Sequence, residues 1–178
     1  MSAAAPADLF AFLDQLGITT ETAEHAPVFT VAESRSIKAT IPGGHSKNLF
    51  LKDRKDRLFL VVARDEMRID LKRLHETVGA SGRLSFGSAE LLRETLGVEP
   101  GSVTPFALIN DRAGRVTIVL DAVLMACARV NFQPLVNSMT TTVGRDDLVA
   151  FLRATGHEPQ VLRLPEPTTS QNAAAAPS

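Results

Sequence analysis

Apolar positions recur along this chain with two periods, and each change of period marks an element. Leu9, Phe12, Leu13 and Leu16 stand at i, i+3, i+4 and i+7, which predicts a helix opened by Asp8 and closed by Gly17. Ile18 to His25 mixes Thr and Glu like an edge strand, and Ala26-Pro27 breaks it. Thr30 and Glu33 have capping-box spacing and predict a short helix. Leu49-Phe50-Leu51 and Leu58-Phe59-Leu60-Val61-Val62 flank the charged turn Asp53-Arg54-Lys55-Asp56, a β-hairpin over residues 48–63. A helix capped by Asp70 carries Leu71, Leu74 and Val78 and stops at Gly79. Leu84-Ser85-Phe86 reads as a short strand. Ser88 caps a helix with Leu91, Leu92 and Leu96, stopped by Gly97.

Residues 106–120 read as a second hairpin, from Phe106-Ala107-Leu108-Ile109 through a turn at Asp111 to Gly114. Its Asp, Arg and final Arg repeat those of Asp53 to Arg57. Residues 121–128 suit a short helix or turn, and Val130-Asn131-Phe132 and Thr140 to Val143 suit strands. A last helix from Arg145 to Thr155 turns Leu148, Phe151 and Leu152 inward and ends at Gly156; residues 161–164 can add an edge strand. Strands that meet mostly through tight turns predict an α+β fold: one domain with a mixed, mostly antiparallel curved sheet and flanking helices. The expected organisation is a flexible leader over 1–7, the domain over 8–164 and a disordered tail over 165–178, where Pro, Thr, Ser, Asn and Ala dominate.

Composition narrows the function classes. With nine Phe and neither Trp nor Tyr, the core is mainly aliphatic. A net charge of −1 argues against a general nucleic-acid coat, so any RNA contact needs a local basic patch. The single cysteine, Cys127, allows no intramolecular disulfide and fits a reducing compartment. No basic leader or bilayer-length apolar run is present, so a cytoplasmic location without membrane contact is expected.

Much catalytic chemistry is missing. His25, His45, His75 and His157 lack metal-ligand spacing, so no metal and no cofactor are expected. There is no G-x-S-x-G elbow, no G-x-G-x-x-G and no Walker loop. Cys127 sits among Leu, Met and Ala and reads as a small buried apolar residue. What remains is two glycine-led loops. Gly43-Gly44-His45-Ser46-Lys47 runs into Leu49-Phe50-Leu51 and places Lys47 at the seam of loop and strand. Gly101-Ser102-Val103-Thr104-Pro105 runs into a second apolar stretch. Read as facing walls of one site, they offer a compact cation for a phosphate or ester oxygen and amides for a developing oxyanion. Without a nucleophile, the chemistry that fits is hydrolysis by a bound water.

Gly44 to Asp53, Gly101 to Leu108 and Val130 to Asn137 together closely resemble the free-standing prolyl-tRNA editing proteins of the YbaK-like aminoacyl-tRNA deacylase superfamily, over roughly residues 8–164. The resemblance implies the same curved sheet and an activity: hydrolysis of mischarged prolyl-tRNA, chiefly the alanyl form. It puts the family's essential lysine at Lys47 and its G-x-x-x-P loop at Gly101 to Pro105, with Lys47 and Gly101 at the reacting ester. His45, Asn48, Ser102, Val103, Thr104, Pro105, Gln133 and Asn137 are then the substrate-binding set. The family's pocket histidine falls on Gln133, which cannot titrate near neutral pH, and Met139 stands where smaller residues are common. The implied partners are the acceptor end of a mischarged tRNA and prolyl-tRNA synthetase, for a chain expected to be a monomer. A deacylase for seryl or cysteinyl groups and a catalytically silent tRNA- or synthetase-binding module are the alternatives.

Overall fold

The computed structural model describes residues 2–168, so the tail expected over 165–178 lies outside the described residues from 169 onward. In chain order the elements are α1 (Pro6–Gln15), β1 (Glu21–Glu24), α2 (Val31–Lys38), β2 (Gly44–Lys52), β3 (Leu58–Arg64), α3 (Leu74–Val78), β4 (Ser85–Phe86) and α4 (Ala89–Leu96). A 3-10 helix (Pro105–Asn110), β5 (Val116–Asp121), a short 3-10 turn (Leu124–Ala126), β6 (Arg129–Phe132), β7 (Met139–Gly144), α5 (Arg145–Ala154) and β8 (Gln160–Leu162) complete them. Among the described residues no helix is long and apolar enough to cross a membrane.

One mixed sheet runs β1-β7-β6-β2-β3-β5-β8, with β4 paired to the flank of β2. The pairs β1/β7, β7/β6, β2/β3 and β2/β4 are antiparallel, whereas β2/β6, β3/β5 and β5/β8 are parallel. The mixed α+β architecture is the one the hydrophobic pattern predicts. β3 is buried on both faces, which explains its unbroken Leu-Phe-Leu-Val-Val-Ala run. Leu60 and Val62 face a core built with α1, α4, α5 and the longer 3-10 helix. Phe59, Val61 and Ala63 face a second core with Met67, Leu74, Val78 and Leu164.

Local chemistry set the ends of several elements. Thr30 and Glu33 form the expected capping box on α2, Ser88 caps α4, and Gly79 and Gly97 end α3 and α4 in the left-handed conformation. Four differences from the predicted elements stand out. α1 begins at Pro6, inside the stretch read as leader, and Asp8 is not its cap but reaches back to the Ala5 amide at 2.8 Å. Asp70 orders a turn by accepting from the Lys72 amide, and α3 starts only at Leu74. β8 covers 160–162 rather than 161–164.

The fourth difference matters most. There is no second hairpin, because Phe106 to Ile109 belong to the buried 3-10 helix. Pro105 has no N–H to give a ladder and presets a helical φ, and the Thr104 hydroxyl accepts from the Phe106 amide. A short buried apolar run has no periodicity to tell strand from helix. The repeated turn is nonetheless real at the level of hydrogen bonds. Asp53 accepts from the Lys55 and Arg57 amides, and Asp111 accepts from the Arg115 and Val116 amides.

Candidate active site

β2 and β6 pair in parallel for two residues only, Gly44 with Val130 and His45 with Asn131. Beyond them the strands part, and a cavity of about 250 Å³ opens in the split. Ser46 and Asn48 continue one wall from β2, and Phe132 and Gln133 continue the other from the end of β6. Gly101 and Val103 close a third side. His25, Val28 and Thr140 line the β1/β7 side, and Ser34, Ile37 and Lys38 come from α2.

The seam is fixed from the sequence upward. Any Cβ on Gly44 would lie 2.8 Å from the Cys127 sulfur, so only glycine lets β2 approach this closely. Buried Asn131 donates to the carbonyls of Pro42 (3.1 Å) and Gly44 (3.3 Å), and its side-chain carbonyl accepts from the Thr142 hydroxyl. The Ser46 hydroxyl donates to the Asn131 backbone carbonyl at 3.1 Å just where the ladder ends. The Gly101 loop is pinned by the 3-10 helix that it enters. Phe106 of that helix is fully buried and meets Phe132 and Phe151 edge-on, with ring centroids 5.8 and 5.4 Å apart. Such a ring contributes about 1.5–3 kcal/mol by burial alone. Gly101 has φ +92°, a conformation costly for other residues.

Two histidines line the cavity with their tautomers set by carbonyls. His45 Nε2 lies 2.8 Å from the Ile41 carbonyl, so it carries the proton and leaves Nδ1 as an acceptor. His25 Nδ1 lies 2.9 Å from the Ala26 carbonyl, and its Nε2 accepts from the Thr140 hydroxyl at 2.8 Å. Among the described residues the N–H groups of Gly101 and Val103 and the Gln133 amide have no hydrogen-bond partner. The Asn48 side-chain carbonyl oxygen is buried and also unpartnered.

The structure brings together five of the residues picked from sequence: His45, Asn48, Gly101, Val103 and Gln133 all line the cavity. Ser102, Thr104 and Pro105 are buried behind it and shape the loop. Asn137 stands one layer back and donates to the carbonyl of Val28, a wall residue, at 3.4 Å. Met139 lines a separate shallow recess with Phe10 and Thr22, so it does not shape this cavity.

Lys47 is placed differently from expectation. It belongs to β2 rather than to a loop, paired with Ala63. Alternation along β2 turns it to the face of Leu49 and Leu51, away from Ser46 and Asn48. Its ammonium donates to the Met67 carbonyl and is not on the cavity wall. Burial pushes its pKa below the ordinary 10.5, Asp65 partly offsets this, and Lys38 adds to the lowering. Lys38, which does line the cavity, bonds Asp65 at 2.9 Å. Lys47 therefore sits in a charged cluster at the cavity margin.

Sequence reasoning missed His25, Ser46, Asn131, Thr140 and the α2 residues. His25 precedes Ala26-Pro27, which reads only as a strand breaker, and the α2 positions show no apolar periodicity. Among the described residues no three His, Cys, Asp or Glu side chains are grouped to hold a metal ion.

Comparison with known proteins finds likeness at the level of family, sequence and structure. The profile of the family described as "Aminoacyl-tRNA editing domain" matches residues 25–151. A prolyl-tRNA synthetase associated domain-containing protein 1 from Xenopus laevis is 39% identical over 87% of this chain and 94% of its own length. The prolyl-tRNA editing protein ProX of Acetoanaerobium sticklandii is 36% identical over 88% of this chain and 95% of its own. A solved structure named as a candidate trans-editing enzyme for prolyl tRNA synthetase superposes with a TM-score of 0.67 at 21% identity, covering 92% of this chain and 100% of that one.

Proposed function

The chain belongs to the aminoacyl-tRNA editing domain family, and from that premise we propose that it is a trans-editing deacylase that hydrolyses the ester of mischarged prolyl-tRNA, alanyl-tRNA(Pro) foremost. The observation that supports the reading is a small cavity lined by Gly101 and Val103, whose amides have no hydrogen-bond partner among the described residues, together with His45, Asn48 and Gln133. At about 250 Å³ it lies below the ~300–1,000 Å³ usual for small-molecule pockets. It suits a small aminoacyl group with the edge of a ribose. A synthetase selecting proline gains only ~1–3 kcal/mol against a smaller apolar side chain, so a second, size-limited site has work to do.

In the proposed reaction a water attacks the ester carbonyl carbon, and the bond to the terminal ribose oxygen breaks. That oxygen takes a proton, leaving free alanine and tRNA with its 3′ end intact. The Gly101 and Val103 amides stabilise the carbonyl oxygen as it gains charge. His45 Nδ1 is an acceptor for a water proton, and Gln133 and Asn48 orient the aminoacyl group. Lys47, in the cluster with the Lys38–Asp65 pair, supplies net positive charge at the margin where the terminal nucleotide enters.

The test is steady-state deacylation of alanyl-, seryl-, cysteinyl- and prolyl-tRNA by the purified protein. Alanyl release well above the uncatalysed rate, with prolyl-tRNA spared, is expected. Preferred release of serine or cysteine moves the substrate assignment to those groups. A second reading, a silent tRNA-binding module, is favoured by one observation: the Lys47 ammonium is held by Met67 outside the cavity. Tight tRNA binding with no ester cleavage on any of the four substrates decides for it.

A further inference from the structure

A second recess, of about 390 Å³, adjoins the cavity along the same seam. Gly43 and Gly44 of the β2 approach, Arg129 of β6, Thr142 of β7, and Arg64 at the end of β3 line it. Two positions further along the strands, His45 and Asn131 line the cavity itself. The separation is therefore only ~7 Å of strand, within the reach of one nucleotide.

Arg64 is the unusual member. Among the described residues two arginines are half-buried, Arg64 and Arg145. Arg145 donates to the carbonyls of Met125 and Ala126. The Arg64 guanidinium has no hydrogen bond and no ion pair among the described residues. Among the described residues the only carboxylate that lines the recess, Glu21, and the one next to Arg64 in sequence, Asp65, both have other partners. Glu21 pairs with Arg129 at 3.3 Å, and Asp65 pairs with Lys38 at 2.9 Å. The recess therefore carries one uncompensated positive charge, with five donors in a planar fork that matches phosphate oxygens.

We propose that the Arg64 recess binds a backbone phosphate of the substrate's 3′ strand and thereby registers the ester over the Gly101 loop. The inference rests on the reading that the cavity takes an aminoacylated RNA end. Arg64 is a positioning residue: it touches the strand beside the reacting bond and none of the reacting atoms. Arg129 shares its charge with Glu21 and adds to the field without completing a second site.

The experiment compares Arg64→Ala and Arg64→Lys with wild type on alanyl-tRNA(Pro) and on 3′-alanyl adenosine, which has no phosphodiester. Affinity for uncharged tRNA is measured against salt in parallel. Arg64→Ala should raise KM for alanyl-tRNA about tenfold with kcat unchanged. It should flatten the slope of log affinity against log salt by about 0.7, one single-strand phosphate. Arg64→Lys should restore the slope but only part of the KM, because a point charge replaces a fork. Turnover of 3′-alanyl adenosine should not change. Unaltered tRNA affinity and slope in Arg64→Ala, or an equal loss on the adenosine ester, overturns the proposal. A wild-type protein that binds tRNA but releases no amino acid removes the deacylase reading instead, and the salt slope still decides what Arg64 binds.

Discussion

Truncating Gln133 tests whether the cavity selects an aminoacyl group, as the proposed function requires. The Gln133 side chain lines the cavity, is half-buried and has no hydrogen-bond partner among the described residues. Gln133→Ala should therefore cost the free protein little, within ~0.5 kcal/mol. With alanyl substrate bound, one neutral hydrogen bond is lost, worth ~0.5–1.5 kcal/mol, or about a two- to twelve-fold fall in kcat/KM. Prolyl substrate should move the other way. Removing the side chain beyond Cβ opens room for a ring, and apolar fit of that size is worth ~1–3 kcal/mol. The alanyl-to-prolyl ratio of kcat/KM should drop by about tenfold or more. Gln133→His keeps a polar group of fixed shape, so it should retain the alanyl preference and sharpen selectivity between alanyl and seryl groups. The assay is release of labelled amino acid from alanyl-, seryl- and prolyl-tRNA(Pro), with melting curves to confirm folding. If both variants leave all three ratios at wild-type values, Gln133 is a wall without a say in selectivity.

Four further outcomes can be checked. Lys47→Ala should lower kcat/KM about ten- to a hundred-fold, as expected for losing a charged contact at the substrate margin; a folded variant with wild-type turnover would show that the ammonium only ties β2 to Met67. Because burial lowers the Lys47 pKa below 10.5, the folded chain binds fewer protons than the unfolded one between that lowered value and 10.5. Stability should rise with pH across this window, and denaturant midpoints of Lys47→Met should lack that part of the rise. Gly101→Ala meets no neighbouring atom within 4 Å but must adopt φ +92°, so a strain of ~1–2 kcal/mol should lower Tm by a few degrees and cut turnover more than about tenfold; unchanged turnover would remove the loop from the reaction. Arg54→Ala/Lys55→Ala, at the exposed hairpin tip, should flatten the salt dependence of tRNA affinity if the tip meets the acceptor strand, and an identical slope marks it as a solvated tip.

What the sequence disclosed was local, and what it hid was parallel. The β2/β3 hairpin was legible because Asp53 organises its turn within four residues, and α2 and α4 because their caps are adjacent in sequence. β5 was legible as a strand but not in its partners. It lies parallel to β3 and β8, and such pairs leave no turn signal to read. The Phe106 run was misread because burial on all sides erases periodicity. β2 beyond Gly44 and the Gly101 loop do line one cavity, yet Lys47 does not point into it. One residue of strand phase, invisible when Gly44 is read as loop, turns its side chain to the opposite face. His25 and α2 were missed because a cavity wall with few apolar residues looks like any other connector.

The position of the cavity arises from the parallel seam. Two antiparallel segments, β1-β7-β6 and β2-β3, join through only two residue pairs. A sheet so joined must open beyond the join, and the opening exposes backbone and polar side chains without unfolding either segment. Its walls have unequal support. Asn131 ties the seam to Pro42 and Gly44, the Phe106–Phe132–Phe151 cluster underlies β6 and the Gly101 loop, and Asn137 holds Val28. α2 has no buried residue and is held by its capping box and the Lys38–Asp65 bond. A size limit needs walls that do not yield to a larger guest, so if the cavity is the proposed editing site, its selectivity should lie with the Phe132, Gln133 and Val103 side rather than with the α2 side. That is why substitution at Gln133 should change the ratio between substrates, whereas breaking the Lys38–Asp65 bond should change all substrates alike.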